Sequence, residues 1–332
     1  MLNNKTIFIT GGTGSFGKRF VKTIVNKFKK IKKIIIFSRD ELKQYEMSLL
    51  YPPKKYPNIR FLLGDIRDKD RLNFALNEVD YVIHAAALKQ VPAAEYNPFE
   101  FINTNIVGGN NLIQACLLKK VKKVIMLSTD KAVTPINLYG ATKLCAEKLF
   151  LTANNIKGLN EIKFSVVRYG NVVGSRGSVI PHFLNQKKKG VLTVTDKLMT
   201  RFNMELDDAV EMVLWSLNKS VGGEIFVPKL PSFKIMDLAK AIDEKCKTKI
   251  IGIRPGEKIS EELISYHESQ NCYDLGKYYA ILVNPENKLK KYYKKKFKKL
   301  SKRFSYTSGN NSKFLKVNEL KKIIIKYSKI KN

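Results

Sequence analysis

Long apolar runs are missing from this chain of 332 residues. No stretch approaches the ~20 consecutive apolar residues of a membrane span, so no membrane-spanning helix is expected. Cysteine is scarce: Cys116, Cys145, Cys246 and Cys272 lie far apart and show no paired spacing. Neither a disulfide framework nor a zinc site follows from them, and a reduced, cytoplasmic chain is the simplest reading. His84, His182 and His267 are equally scattered, which argues against a histidine-built metal centre. The opening "MLNNKTIFITGG" runs directly into a strand and a glycine turn, so no signal peptide is expected. No internal repeat is visible.

Acidic residues are also in short supply. Against 61 Lys and Arg stand 29 Asp and Glu, a formal net charge of +32. A basic chain can be a nucleic-acid binder. Here the lysines are spread along the whole length, beside abundant Asn, Ile, Tyr and Phe, as AT-rich codon usage would produce. No nucleic-acid partner is therefore expected. The densest run, "NKLKKYYKKKFKKLSKRF" (287–304), could touch RNA or an acidic membrane, but it reads first as a solvated face. Either origin of the charge favours anionic substrates.

What is present is a strand–helix rhythm. "KTIFIT" (5–10), "KKIIIFSRD" (32–40), "IRFLLGD" (59–65), "DYVIHAAA" (80–87), "KKVIMLST" (122–129) and "KFSVVRYGNV" (163–172) read as six strands with helical stretches between them. The spacing predicts an α/β fold, a doubly wound parallel sheet of the Rossmann type. After about residue 175 the rhythm becomes a smaller, less regular α+β region. A nucleotide domain over 1–175 and a mainly substrate-binding region over 176–332 are expected, with a soft boundary.

"TGGTGSFG" sets Gly11, Gly14 and Gly17 between the first strand and its helix. Such a turn lets the backbone approach a pyrophosphate, and the helix N-terminus stabilises the negative charge. After the second strand, "FSRDELK" offers Ser38, Arg39 and, one turn on, Lys43. Cations there suit a 2′-phosphate and favour NADP over NAD; Asp40 could instead meet a ribose hydroxyl. In "GDIRD", Asp65 and Ile66 are placed to meet an adenine, unless the segment is only a turn with a helix cap. Ala85, Ala86 and Ala87 end the fourth strand, where small residues let a cofactor lie against the backbone.

"STDKAVTPINLYGATK" (128–143) follows the fifth strand. Tyr139 and Lys143 are four apart and share a helix face. With Thr129 they fit alcohol oxidation by a short-chain dehydrogenase. The phenol, near ~10 ordinarily, becomes a usable base when a neighbouring ammonium lowers it. Asp130 and Lys131 add an acid and a base that plain hydride transfer does not need.

"TGGTGSFG", "SRDELK", "GDIRD", "HAAALKQVPAAEYNP", "STDKAVTPINLYGATK", "RYGNVVGSRGSVIP", "MTRF" and "RPGEK" together resemble the soluble, inverting UDP-N-acetylglucosamine 4,6-dehydratases. These are extended short-chain dehydrogenases that open the pathway to pseudaminic acid. The similarity runs from the first strand to "SYTSGNN" (305–311). Gln90 stands where close members often carry histidine. Longer membrane-anchored relatives generally lack the tyrosine that this chain keeps as Tyr139.

The resemblance implies a mechanism. Tyr139 takes the O4′ proton as the cofactor accepts the C4′ hydride. Lys131, its pKa depressed by burial beside other cations, removes the C5′ proton. A protonated Asp130 donates to the departing C6′ hydroxyl, and the hydride returns to C6′. The resemblance adds Thr13, Ser15, Phe16, Glu41 and Thr104 to the cofactor residues, beside Tyr139 and Lys143. It assigns Lys89, Asn171, Val179, Arg201, Arg254 and Glu257 to the substrate, and it implies a homo-oligomer, up to a hexamer. A retaining dehydratase, a UDP-sugar 4-epimerase and a non-catalytic NADP-sensing regulator stay open as alternatives.

Overall fold

The computed structural model describes residues 2–331 apart from 175–178, 284, 286 and 302. Part of "RYGNVVGSRGSVIP", including Ser175 to Ser178, therefore lies outside the described residues, as does Lys302 of the basic run. The first half alternates as the sequence rhythm predicts. Its strands are β1 (Thr6–Thr10), β2 (Lys33–Ser38), β3 (Ile59–Leu63), β4 (Tyr81–His84), β5 (Lys123–Thr129) and β6 (Lys163–Tyr169). The helices between them are α1 (Ser15–Lys27), α2 (Glu41–Leu49), α3 (Lys69–Ala75), α4 (Val91–Tyr96), α5 (Pro98–Phe101), α6 (Gly108–Leu118) and α7 (Leu138–Thr152). A π-helical turn over Ile102–Val107 joins α5 to α6.

The second half holds β7 (Val191–Val194), β8 (Thr200–Phe202), β9 (Glu224–Pro228), β10 (Ser232–Lys234), β11 (Lys247–Ile250) and β12 (Glu262–Ile264). It continues with β13 (Cys272–Asp274), β14 (Tyr278–Leu282), β15 (Lys298–Lys299) and β16 (Tyr306–Thr307). Its helices are α8 (Val179–Lys187), α9 (Leu206–Lys219), α10 (Ile235–Ile242), α11 (Asn287–Lys296) and α12 (Val317–Lys331).

One large sheet runs in the order β15-β13-β14-β9-β6-β5-β4-β1-β2-β3. It is parallel from β3 to β9, while β14, β13 and β15 add an antiparallel edge. Parallel strands covered by helices on both faces are buried on both faces. Thus all of β1 is buried, and so are the inner residues of β2, β5 and β6. Four sheet strands come from beyond residue 176, so sheet membership does not divide where the sequence rhythm changes. A second apolar cluster, around Phe183, Leu192, Phe233, Leu238 and Leu320, supports the smaller lobe.

The sheet order places the switch point between β1 and β4. Ligands of open α/β sheets bind in the crevice outside the strands' carboxyl ends at such a point. The glycine turn, the β4 alanines and the segment after β5 all lie at those ends. In the basic run, Tyr293 is buried, and Leu289, Tyr292 and Phe297 pack against the main core. Its described lysines are exposed.

Candidate active site

The nucleotide end is built by close approach of two strands. Gly11 has φ +63°, and a Cβ there would sit 2.8 Å from the Ala86 amide nitrogen. The turn is closed by the Gly14 amide donating to the Gly11 carbonyl at 3.0 Å. Gly14 is the N-cap of α1, and no side chain caps the helix. Its N-terminal amides, those of Ser15, Phe16 and Gly17, are thus open to an anion. Thr10 Oγ1 accepts from the amides of Ala85 (3.2 Å) and Ala86 (3.1 Å), which fixes the end of β4 beside the turn. Thr104 adds a buried hydroxyl with no protein partner. A glycine cradle, an uncapped helix start and an orphan hydroxyl fit a dinucleotide.

After β2, Thr13 Oγ1 donates to Ser38 Oγ at 3.2 Å. Buried Gln44 donates to Ser38 Oγ, Ser38 O and Leu62 O, fixing this corner. Asp40 is the N-cap of α2: it accepts from the Lys43 amide at 2.9 Å and pairs with the Lys43 ammonium. Glu41 opens the first turn of α2. Lys43 is thereby engaged, while the Arg39 side chain is 53% exposed with Nη1 3.7 Å from Asp65. Asp65 is also held by Arg67 Nη2 at 2.7 Å. Burial alone would raise Asp65, but Arg67 and Arg39 hold it below the usual carboxylate range. Asp68, not Asp65, caps α3, and Ile66 is buried.

The catalytic segment turns sharply after β5. A short 3-10 turn over Asp130–Ala132 carries Asp130 and Lys131, and α7 begins after the Asn137 cap. A Cβ on Gly140 would lie 2.1 Å from the Lys131 carbonyl oxygen. The glycine after Tyr139 is what lets this turn pack onto α7 and brings the two pairs together. Thr142 Oγ1 donates to Tyr139 O at 2.8 Å and accepts from Asn105 Nδ2 at 3.0 Å. Asn105 also exchanges two 2.9 Å bonds with Leu88, so the loop after β4 is fastened to α7.

Lys131 Nζ lies 3.2 Å from Asp130 Oδ1 and 3.0 Å from Glu261 Oε1. This overturns the expectation of a depressed lysine. Burial would lower it, but Asp130 and then Glu261 outweigh burial and hold Lys131 above its ordinary value. The neighbours expected to be cations are chiefly anions. Asp130 is shifted up, as its assigned acid role requires, mainly by burial and against the pull of Lys131. Tyr139 also departs from expectation. Burial pushes the phenol up to about 12, and the Lys131 charge and the Thr129 hydroxyl oppose this only in part. Burial pushes Lys143 down to about 8, and its Nζ donates to Leu127 O at 2.8 Å.

The expected substrate residues lie on separate elements. Lys89 is exposed beyond β4, and desolvation and then the Lys131 charge hold it below its ordinary value. Asn171 O accepts from the Met204 amide at 3.3 Å, and Val179 starts α8, packed against the second cluster. Arg201 donates through Nη1 to Thr200 O (2.7 Å) and Ile259 O (3.0 Å), with Nε 3.6 Å from Glu261 Oε1. Arg254 and Glu257 pair with each other on an exposed loop, Nε to Oε1 at 2.9 Å. Glu261 itself was missed: "SEELIS" reads as surface, and its partner lies 130 residues away. Among the described residues, no group of His, Cys, Asp and Glu is arranged to hold a metal ion, and no helix is long and apolar enough to cross a membrane.

The profile of the polysaccharide biosynthesis protein family matches residues 7–283. The chain belongs to that family. It is 51% identical to UDP-N-acetylglucosamine 4,6-dehydratase (inverting) of Campylobacter jejuni, over 98% of each chain. It is 45% identical to a UDP-glucose 4-epimerase of Rickettsia bellii, over 98% of this chain and 96% of the relative. Among solved structures, Pen from Bacillus thuringiensis matches with a TM-score of 0.89 and 38% identity, covering 99% of each chain. The sheet is Rossmann-like, as in sugar-nucleotide dehydratases of known structure.

Proposed function

We propose that the chain is a UDP-N-acetylglucosamine 4,6-dehydratase that inverts C5′, uses NADP, and opens a pseudaminic acid-type pathway in the cytoplasm as a homo-oligomer. The observation that carries this reading is the Lys131 ammonium between two buried carboxylates, on a turn packed against the Tyr139 helix. A 4-epimerase needs Tyr139 and Lys143 but no acid–base pair for elimination.

The cradle of Gly11, Gly14 and Gly17 would hold the pyrophosphate, and Arg39 a 2′-phosphate. Ser38, Asp65, Ile66, Ala85, Ala86, Ala87 and Thr104 would line the remainder. Bound there, NADP supplies a hydride acceptor at C4′ and a hydride donor at C6′. The other steps belong to the chain. Tyr139 would accept the O4′ proton as its phenolate, the form that the positive charge of a bound oxidised nicotinamide would favour against burial, with Thr129 on the same oxygen. The new ketone acidifies C5′–H. Lys131 Nζ takes that proton, Asp130 delivers its proton to O6′, the C6′–O6′ bond breaks and water leaves.

Lys131 cannot act while charged. The charged Asp130–Lys131 pair and its neutral form differ by one proton crossing the 3.2 Å contact. The neutral form holds both a base and an acid. Burial of Asp130, which lifts its pKa, favours that form. Lys89, Asn171 and Val179 would meet the substrate, and Arg201 and Arg254 its diphosphate, with Glu257 on the uridine ribose.

Incubation with UDP-N-acetylglucosamine in D₂O, with the product read by NMR, tests the reading. Water loss with the L-arabino 4-ulose is expected. The 4-epimer without water loss would establish the epimerase, and a D-xylo product the retaining reaction.

A further inference from the structure

Glu261 lies just before β12, whose Leu263 and Ile264 are buried in the main core. Its backbone is pinned: the Glu261 amide donates to Ser308 Oγ at 2.9 Å, and its carbonyl accepts from the Ser308 amide at 2.8 Å. Ser308 is itself tied to Thr200, Oγ to Oγ1, at 2.8 Å. The carboxylate is 3% exposed, and Oε1 faces both Lys131 Nζ and Arg201 Nε. Asp130 Oδ2 and Glu261 Oε2 are both buried without a protein partner. Leaving such oxygens unpaired is costly, so a core built for stability alone would pair them.

The two carboxylates are not equivalent. Asp130 meets one cation, Lys131, and is shifted up. Glu261 has Lys131, Arg201 and Lys258 around it, and despite its burial it is held below the usual carboxylate range. One carboxyl is suited to carry a proton and the other to stay charged.

We propose that Glu261 is the standing counter-ion and positioning residue of Lys131, charged throughout the cycle and holding the ammonium that forms when the C5′ proton is taken. The inference rests on the reading of Lys131 as the base. The charge balance is closed. Before elimination the trio is neutral Lys131, protonated Asp130 and ionised Glu261. Afterwards the C5′ proton is on Lys131 and the Asp130 proton has left with the water. The ammonium then sits between two carboxylates, and the net charge of the trio is unchanged. Glu261 makes Lys131 a stronger base at the cost of a smaller neutral fraction.

The groups facing Lys131 are Asp130, Glu261 and Arg201, with Tyr139, Lys89 and Lys258 within electrostatic reach. An opposite charge at this range shifts a pKa by about 1–3 units. The test is trace acylation of the full chain by acetic anhydride across pH, with the Lys131 peptide followed by mass spectrometry. In the parent, Lys131 should lag the exposed lysines up to about pH 10, near the ordinary lysine value. In Glu261→Gln its reactivity should rise at a pH about 1–3 units lower. Glu261→Asp, which keeps the charge, should stay closer to the parent. A parent Lys131 that acylates like an exposed lysine, or a Glu261→Gln profile that matches the parent, overturns the proposal. Should Glu261→Gln fail to fold, the parent profile can still overturn the proposal, by matching an exposed lysine. Turnover of UDP-N-acetylglucosamine is read separately: expected for Glu261→Gln is a fall in kcat with KM little changed. Absence of water loss in the parent defeats the dehydratase reading and leaves the labelling result standing.

Discussion

Arg168→Met should be the most destabilising single change near the site. Arg168 lies on β6 with its side chain 1% exposed. A guanidinium has five N–H donors. Here Nε and Nη2 go to Glu147 (3.0 and 2.6 Å), Nη1 and Nη2 to Glu268 (3.0 and 2.9 Å), and Nη1 also to Leu263 O (3.0 Å). Methionine approximates the volume but removes every donor. Glu268, 24% exposed and bonded to Ser265, can turn to water; Glu147, 1% exposed, cannot. Breaking one side of a buried pair costs about 3–5 kcal/mol, mostly from the charge left behind. The expected outcome is a loss of that size in urea unfolding at pH 7. A second change, Glu147→Met, should recover at least half of it. The pH dependence has a definite sign. In the parent, burial would raise Glu268, but Arg168 holds it down, so its stabilisation is present above the ordinary glutamate value and lost as pH falls through the lowered one. The gap between variant and parent should therefore narrow in acid. A single variant within about 1 kcal/mol of the parent, or a gap that widens in acid, would refute the reasoning.

Other expectations follow from the site. Lys131→Ala should slow water loss by about 10²–10⁴-fold while cofactor binding, followed by fluorescence, persists; unchanged turnover would remove Lys131 from the mechanism. Gly11→Ala combines a positive φ with a Cβ 2.8 Å from the Ala86 nitrogen. It should weaken cofactor binding by about tenfold or more in a direct titration, since the left-handed region alone costs about 1–2 kcal/mol. Arg39→Ala should weaken NADP more than NAD by about 10- to 100-fold, the loss of one charged hydrogen-bond contact; an unchanged ratio of the two dissociation constants would free Arg39 of that role.

What the sequence made legible was local. The six parallel strands, the glycine turn and the Tyr139–Lys143 pair each show within a window of a few residues, because periodicity and helix spacing are short-range. The fate of "GEIFVP" was not local: it reads as a strand, but nothing in it says that it joins β6 as a seventh parallel strand. The Lys131 environment failed only in part for the same reason. Burial beside other cations was expected to depress the lysine. Asp130, its neighbour in sequence, does most to hold it up. The second carboxylate, Glu261, arrives from 130 residues downstream, and a single glutamate in a polar stretch carries no mark of burial. Arg168 was similarly silent, since its partners lie 21 and 100 residues away.

The two unforeseen clusters are connected, and the connection bears on mechanism. Glu147 is on α7, the helix of Tyr139 and Lys143, eight and four residues before it. Leu263, whose carbonyl Arg168 also holds, is in β12, two residues after Glu261. One buried guanidinium thus ties the helix of the hydride pair to the strand beside the counter-ion. In the proposed mechanism hydride transfer draws on α7, Thr129 and the nucleotide crevice. Elimination draws also on Lys131 meeting Glu261. Loosening Arg168 should therefore harm the second step more than the first. A folded Arg168 variant that reduces its cofactor on substrate addition, yet releases little water, would have the two steps separated by this one residue.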